Sequence, residues 1–274
     1  VTPASPAPTV ARPRPAARGT AWAATAGLVA WGVIYLLVGL LALRVALGDR
    51  RQQADRNGAL AELANRPFGA ALLWALGLGL VGMAVWRLSE AVFGAVGPDG
   101  RTVHMRLLAL ARCLFYTVVA WSVLEFAAGA GGGGSGDAAS RDLTARALGL
   151  PAGRWLVAAV GAGIVVTGVW TGVQAVRRDY YRQLKAGAMA APVRRAVDVT
   201  GVVGGLARAA VFVAAGAFAV RAAVDYRPDQ AKGVDDTLRS FAGTPAGPWL
   251  LAAVAVGLIL FGLFAFALAR WRRV

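Results

Sequence analysis

Apolar residues along the chain come in long uncharged blocks, not in the narrow stripes of soluble helices. Thr20 to Leu43, Pro67 to Trp86, Trp155 to Val176 and Ser240 to Ala269 contain no charged side chain. Two further blocks carry charges: Leu107 to Ala128 holds Arg112 and Glu125, and Val199 to Val224 holds Arg208 and Arg221. Each is long enough to cross a hydrocarbon layer about 30 Å thick, which takes roughly 20 helical residues. The blocks are rich in Ala, Leu and Gly and do not alternate with period two, which argues against a β-barrel. Backbone groups inside lipid must bond within their own segment, so helices follow. The pattern predicts an all-α integral membrane protein with six transmembrane helices.

The punctuation between the blocks repeats. The second helix of each pair begins at Pro67-Phe-Gly69, Pro151-Ala-Gly153 and Pro245-Ala-Gly247. Gly79, Gly163 and Gly257 then align, followed by Trp86, Trp170 and Phe264. In the first helices Tyr35, Tyr116 and Phe212 align, as do Gly39, Ala120 and Gly216, and then Arg44, Glu125 and Arg221. Proline lacks an N–H and suits the first turn of a helix, and the glycine after it permits close packing. Repeat 1 is placed at 18–97, repeat 2 at 98–186 and repeat 3 at 187–274, after a Pro/Ala-rich tail over 1–17 that reads as disordered and cytoplasmic. Two spans per unit make the repeats parallel, which predicts a pseudo-threefold axis along the membrane normal. Before each proline lies a short amphipathic stretch, 59–64, 143–148 and 237–242, read either as an interfacial helix or as a polar loop.

The Tyr35 to Gly39 pattern, the stretch Gly58-Ala-Leu60, the Pro67-Phe-Gly69 start and the segment Gly79 through Trp86 together resemble a family of bacterial, largely actinobacterial, membrane proteins known as domain of unknown function twelve hundred and six. The resemblance runs from about Arg18 to Ala269 and is strongest in the first repeat. It departs in the loops of the second and third, at Gly129 to Gly136 and Asp235-Asp236. It implies three paired-helix repeats and no particular activity.

Composition agrees with lipid burial: 58% of the 274 residues are hydrophobic and mean hydropathy is +0.58. The net charge of +15 does not form a separate basic domain, so no nucleic-acid partner is expected. Basic residues gather beside the spans, chiefly Arg12, Arg14, Arg18, Arg101, Arg106, the run from Arg177 to Arg195, and Arg270, Arg272 and Arg273. The opposite loops hold fewer of them and most of the acids. The positive-inside rule then puts both termini in the cytoplasm of a multi-pass protein in the cell membrane. The single cysteine, Cys113, and the single histidine, His104, placed in a polar loop, exclude a disulfide and a typical zinc site. No cofactor is expected, and the glycine run 131–134 lacks the Lys-Ser/Thr of a phosphate loop.

Charges inside spans are the candidate sites. Arg112 with Glu125, and Arg208 with Arg221, are read as lying near span ends, where a long side chain reaches the interface. Arg44, Glu125 and Arg221 share a repeat position and suggest an Arg–Glu–Arg cluster around the threefold axis; three separate interfacial side chains are the plainer reading. Arg87 and Glu90 share a helix face and suggest a cytoplasmic-side ion pair. No residue set supports catalysis. The sequence therefore points to a non-catalytic subunit that binds the lipid bilayer, a membrane-protein partner or a second copy of itself. The alternative is a small-solute or ion channel or transporter.

Overall fold

The computed structural model describes residues 15–48, 54, 56–65, 67–94, 102–129, 136–185, 187, 189–227, 232, 234–242 and 247–272. Pro245, the glycine run 131–134 and the tail through residue 14 lie outside them. The described chain is helical: α1 (Pro15–Ala46), α2 (Arg56–Ala64), α3 (Gly69–Phe93), α4 (Val103–Ala127), α5 (Gly136–Leu148), α6 (Gly153–Val176), α7 (Ala191–Val224), α8 (Val234–Ala242) and α9 (Gly247–Trp271). Six of these, α1, α3, α4, α6, α7 and α9, are long and apolar enough to cross a membrane. The chain is a multi-pass membrane protein of three tandem two-helix units. Two boundaries differ from the sequence reading. Residues 15–17 already belong to α1, because Pro15 stands where a helix's first N–H needs no partner. His104, placed in a loop by its polar neighbours, is the second residue of α4.

The short stretches before the second helices are helices, α2, α5 and α8, and they cap one end of the bundle. Asp235 at the start of α8 is 5% exposed. Its Oδ1 accepts the Ala54 N–H at 2.8 Å and its Oδ2 accepts Arg239 Nε at 2.8 Å. Arg141 of α5 donates to Asp236 at 2.8 Å, and Arg56 of α2 donates to Ser122 of α4 at 3.0 Å. Beneath these polar ties Leu60 and Leu238 join Leu41, Leu251 and Leu258 in one buried apolar cluster.

The Pro-x-Gly motif has a more specific geometry than a helical first turn. Pro67 and Pro151 stand in turns outside the helix, and the next residues, Phe68 and Ala152, adopt φ of 61° and 62°. The chain then doubles back so tightly that a Cβ on Gly69 would strike the carbonyls of Leu63 and Ala64, and one on Gly153 that of Ala147. Glycine is required there by the preceding short helix, not by the turn.

Contacts among the spans follow the order α4–α3–α1–α9–α7–α6. Helices of one repeat meet at α1/α3 and α7/α9. Neighbouring repeats meet at α3/α4, α6/α7 and α9/α1. This alternation is the pseudo-threefold pattern, with one place vacant: α4 and α6, the two helices of repeat 2, do not pack along their length. Small residues make the other contacts. Cβ atoms on Gly39 and Gly262 would meet α9 and α1 backbone at 2.8 Å, and one on Gly216 would meet the Gly161 carbonyl of α6 at 2.7 Å. Gly168 and Gly172 likewise face Val213 and Ala209 of α7. Lipid offers no drive to hide apolar surface, so such close backbone packing is what holds helices together.

A valine at Gly262 must displace the Gly32 carbonyl and the Leu36 N–H. Gly262→Val is expected to cost roughly 1–3 kcal/mol in unfolding measured in mild detergent. Gly163 has open space around it, and Gly163→Ala should stay within about 0.5 kcal/mol of the native protein.

Candidate functional site

The sequence-derived candidates separate into those that meet and those that do not. Arg44 pairs with Glu62 of α2 at 3.7 Å, and Arg221 pairs with Asp225 at 3.5 Å. Glu125 is exposed and joins neither within ion-pair distance. The Arg–Glu–Arg cluster is not formed, because acids local to Arg44 and Arg221 reach them first. Arg87 and Glu90 do pair, at 2.7 Å, with side chains 16% and 15% exposed. Of the aligned repeat residues, Trp86 and Phe264 are buried, whereas Trp170 is 58% exposed. Gly69, Gly153 and Gly247 are all buried at helix starts. Cys113 lines an apolar groove of about 230 Å³ with Val81, Leu88 and Trp121, in keeping with a packing role.

The Arg87–Glu90 pair belongs to a larger assembly that the sequence reading missed. The apolar block predicts Arg208 near a span end, but Pro192 starts α7 early, at Ala191, and leaves Arg208 at its middle. There its guanidinium is surrounded by rings: Phe212 and Phe261 at 4.9 Å and Tyr35 at 5.6 Å. Arg112 of α4 lies within electrostatic reach of Arg87, Glu90, Arg208 and Tyr116. Arg272, just past α9, stands 4.2 Å from the Trp86 ring, as does Arg87. Burial, and behind it the charge of Arg87, pull the Arg272 pKa down to about 10, so it is still a cation at neutral pH. Trp31 closes the aromatic wall against Tyr35 at 5.3 Å and Tyr116 at 5.7 Å.

This cluster is rich in donors and poor in acceptors. Among the described residues Glu90 is the one carboxylate that acts on these guanidinium groups, and it pairs with Arg87; Arg112, Arg208 and Arg272 form no ion pair there. The Nε atoms of Arg87 and Arg208 and the Trp31 Nε1 are buried without a hydrogen-bond partner in the structure. Ring faces offset part of a cation's desolvation, but they do not accept an N–H in the plane of the guanidinium. Carboxylate and phosphate oxygens do, often two at a time. The signal was present in the repeat register: Trp31, Arg112 and Arg208 each stand one turn before the aligned Tyr35, Tyr116 and Phe212.

The same register explains the vacant contact beside Arg112. In repeat 1, Gly27 admits Met83, and Gly79 lies against Ala26 and Ala30. In repeat 3, Gly204 admits Phe261, and Gly257 lies against Ala207. The residue of repeat 2 equivalent to Gly27 and Gly204 is Leu108. Leu108 is exposed, and Gly163, the counterpart of Gly79 and Gly257, has nothing within 4 Å. Arg112 and Trp170 are exposed at the resulting opening.

Removing a partly buried acid from Arg87 leaves a cation among other cations. Glu90→Gln is expected to destabilise the protein by roughly 1–3 kcal/mol, read from unfolding in mild detergent. Glu125→Gln, which loses no pair, should change stability by less than about 0.5 kcal/mol. Equal effects would contradict this assignment.

The family described as Domain of Unknown Function (DUF1206) matches the chain three times in tandem, over residues 26–94, 108–178 and 203–272. The chain is also similar to the uncharacterized protein YxxB of Bacillus subtilis strain 168, with 32% identity over 241 residues, 87% of this chain and 86% of that protein. No solved structure matches. With three matches that between them take in most of its length, each spanning one helix pair, the chain belongs to the Domain of Unknown Function (DUF1206) family.

Proposed function

We infer that this protein is a non-catalytic component of the cell membrane whose role is to hold an anionic group, a phosphate or a carboxylate, in the arginine–aromatic cluster between its spans. The observation that carries this reading is the surplus of donors among the described residues: Arg87, Arg112, Arg208 and Arg272 with Glu90 as the one acid that acts on them, and buried Nε atoms of Arg87 and Arg208 without an acceptor. A charge within a span is costly and persists where it has a partner or a use. An incoming anion supplies the missing partner for several guanidinium groups at once.

The run from Arg177 to Arg195 lies at the end of the bundle that carries both termini. That supports a cytoplasmic location for this end, and for the cluster, which lies nearer to it than to the capped end. The channel or transporter alternative has less support. At the capped end the centre is filled by Leu41, Leu60, Leu238, Leu251 and Leu258, all nearly or fully buried, and Asp235 ties that cap down.

Unfolding of the full chain in a neutral detergent tests the reading. Dihexanoyl phosphatidic acid should raise the unfolding temperature and dihexanoyl phosphatidylcholine should not. A site filled to 100 times its Kd adds about 2.7 kcal/mol of stability. Arg112→Gln, at an exposed position, should abolish most of the difference. An equal response to the two lipids, or none to either, would overturn the proposal.

A further inference from the structure

We propose that the anionic group is the headgroup phosphate of a membrane phospholipid of net negative charge, with no headgroup cation to neutralise it, and that it reaches the arginine cluster sideways, through the opening between α4 and α6. This rests on the anion-binding reading above and adds the source of the anion and its route.

The opening is a built feature of one repeat. Leu108 replaces the glycine that lets the second helix close in repeats 1 and 3, and Gly163 faces open space where Gly79 and Gly257 face a helix. The exposed surface of α6 has two unlike sides. One carries Val166, Val169, Val173 and Val176, all exposed, as acyl chains require. At about 100° per residue, Thr167, Trp170, Thr171 and Gln174 fall on the other side. Their counterparts in repeat 1 are Met83, Trp86, Arg87 and Glu90, which face α1 and the cluster. The polar side of α6 therefore faces the opening. The Thr167 and Thr171 hydroxyls satisfy themselves on the carbonyls of Gly163 and Thr167. Arg112 on the facing helix is exposed, and Glu90, whose charge reaches it, pairs with Arg87 instead.

A positive group at a lateral gap, between an apolar outer surface and a cationic interior, fits an amphiphile with a negative head. A phosphate diester entering there would meet Arg112 first, with Arg87, Arg208 and Arg272 behind it. Its chains would stay in the bilayer beside the valine side of α6. A free aqueous phosphate finds a poorer route. At the end carrying the termini, the segment after α6 folds back under α7 and α9. Leu184 is fully buried and bridges Arg272, and the Lys185 N–H bonds the Trp271 carbonyl at 2.9 Å. Tyr180 seals the notch at Gly201, and its hydroxyl donates to Asp198 at 3.1 Å. Burial first, and then Asp198, push the Tyr180 pKa up, so that proton stays in place at neutral pH.

The test places photoreactive benzoylphenylalanine at Trp170, a position 58% exposed, and separately at Val169 on the valine side. The full chain is reconstituted in vesicles of equal parts phosphatidylglycerol and phosphatidylcholine, irradiated, and its adducts are weighed by mass spectrometry. Phosphatidylglycerol adducts should exceed phosphatidylcholine adducts at least threefold at position 170 and match the bulk ratio at 169. Arg112→Gln should return position 170 to the bulk ratio. A bulk ratio at 170 in the native background would overturn the proposal. So would adducts at 170 joining α4 of the same chain, which would mean a closed gap, or joining a second copy, which would mean a protein interface. If soluble phosphatidic acid still stabilises the protein while position 170 reports the bulk ratio, the anion site stands and the lateral route fails. If both fail, the anion site fails too.

Discussion

A helix in lipid gains nothing by hiding apolar side chains from its surroundings, so close packing across small residues becomes a main source of its hold on a neighbour. That condition governs this bundle. Gly39 and Gly262 let α1 and α9 touch; Gly161 and Gly216 do the same for α6 and α7. Gly27 with Gly79, and Gly204 with Gly257, close the helix pairs of repeats 1 and 3. In repeat 2 Leu108 occupies the site of Gly27 and Gly204, and the two helices stand apart. The three similar units thus form a ring with a gap at the second.

The gap and the arginine cluster belong together. Arg112 replaces Trp31 of repeat 1 at the rim of the gap, and the wall opposite carries Thr167, Thr171 and Gln174 in place of Met83, Arg87 and Glu90. Deeper in, Arg208 rests against Tyr35, Phe212 and Phe261, and Trp86 takes Arg87 and Arg272. Aromatic faces lower the cost of keeping cations inside the bundle without neutralising them. The far end is closed by α2, α5 and α8, whose acids serve local basic residues and Ala54. Negative charge is thereby spent at the capped end, and the cluster nearer the termini is left positive.

Much of this was legible in the sequence because membrane spans and tandem repeats write themselves in long blocks and fixed spacing. The six spans, the three units and the special status of Gly69 and Gly153 follow from pattern alone. The Arg44–Glu125–Arg221 cluster does not form, because equal position in a repeat does not outweigh a nearer acid, here Glu62 on α2 for Arg44 and Asp225 for Arg221. Arg208 was misplaced because the apolar block understates α7, whose first turns carry Arg194, Arg195 and Asp198 and are helical all the same. The gap was written in the alignment of Gly27, Leu108 and Gly204. Its meaning appears only when Met83 and Phe261 are seen to occupy the space that those glycines leave.

Three equivalent cysteine pairs, introduced one at a time in a Cys113→Ala background and oxidised in native membranes, test the open second repeat most directly. The pairs are Ala30 with Gly79, Ala111 with Gly163, and Ala207 with Gly257. A Cβ on Gly79 would stand 3.3 Å from that of Ala30, near the spacing of about 3.5–4.5 Å that a disulfide spans; one on Gly257 would press still closer against that of Ala207, so that pair links after a small outward shift. The first and third pairs should cross-link and the second should not. Cross-linking of Ala111 with Gly163 as complete as the other two would mean that repeat 2 closes like its neighbours, and the lateral opening would not exist.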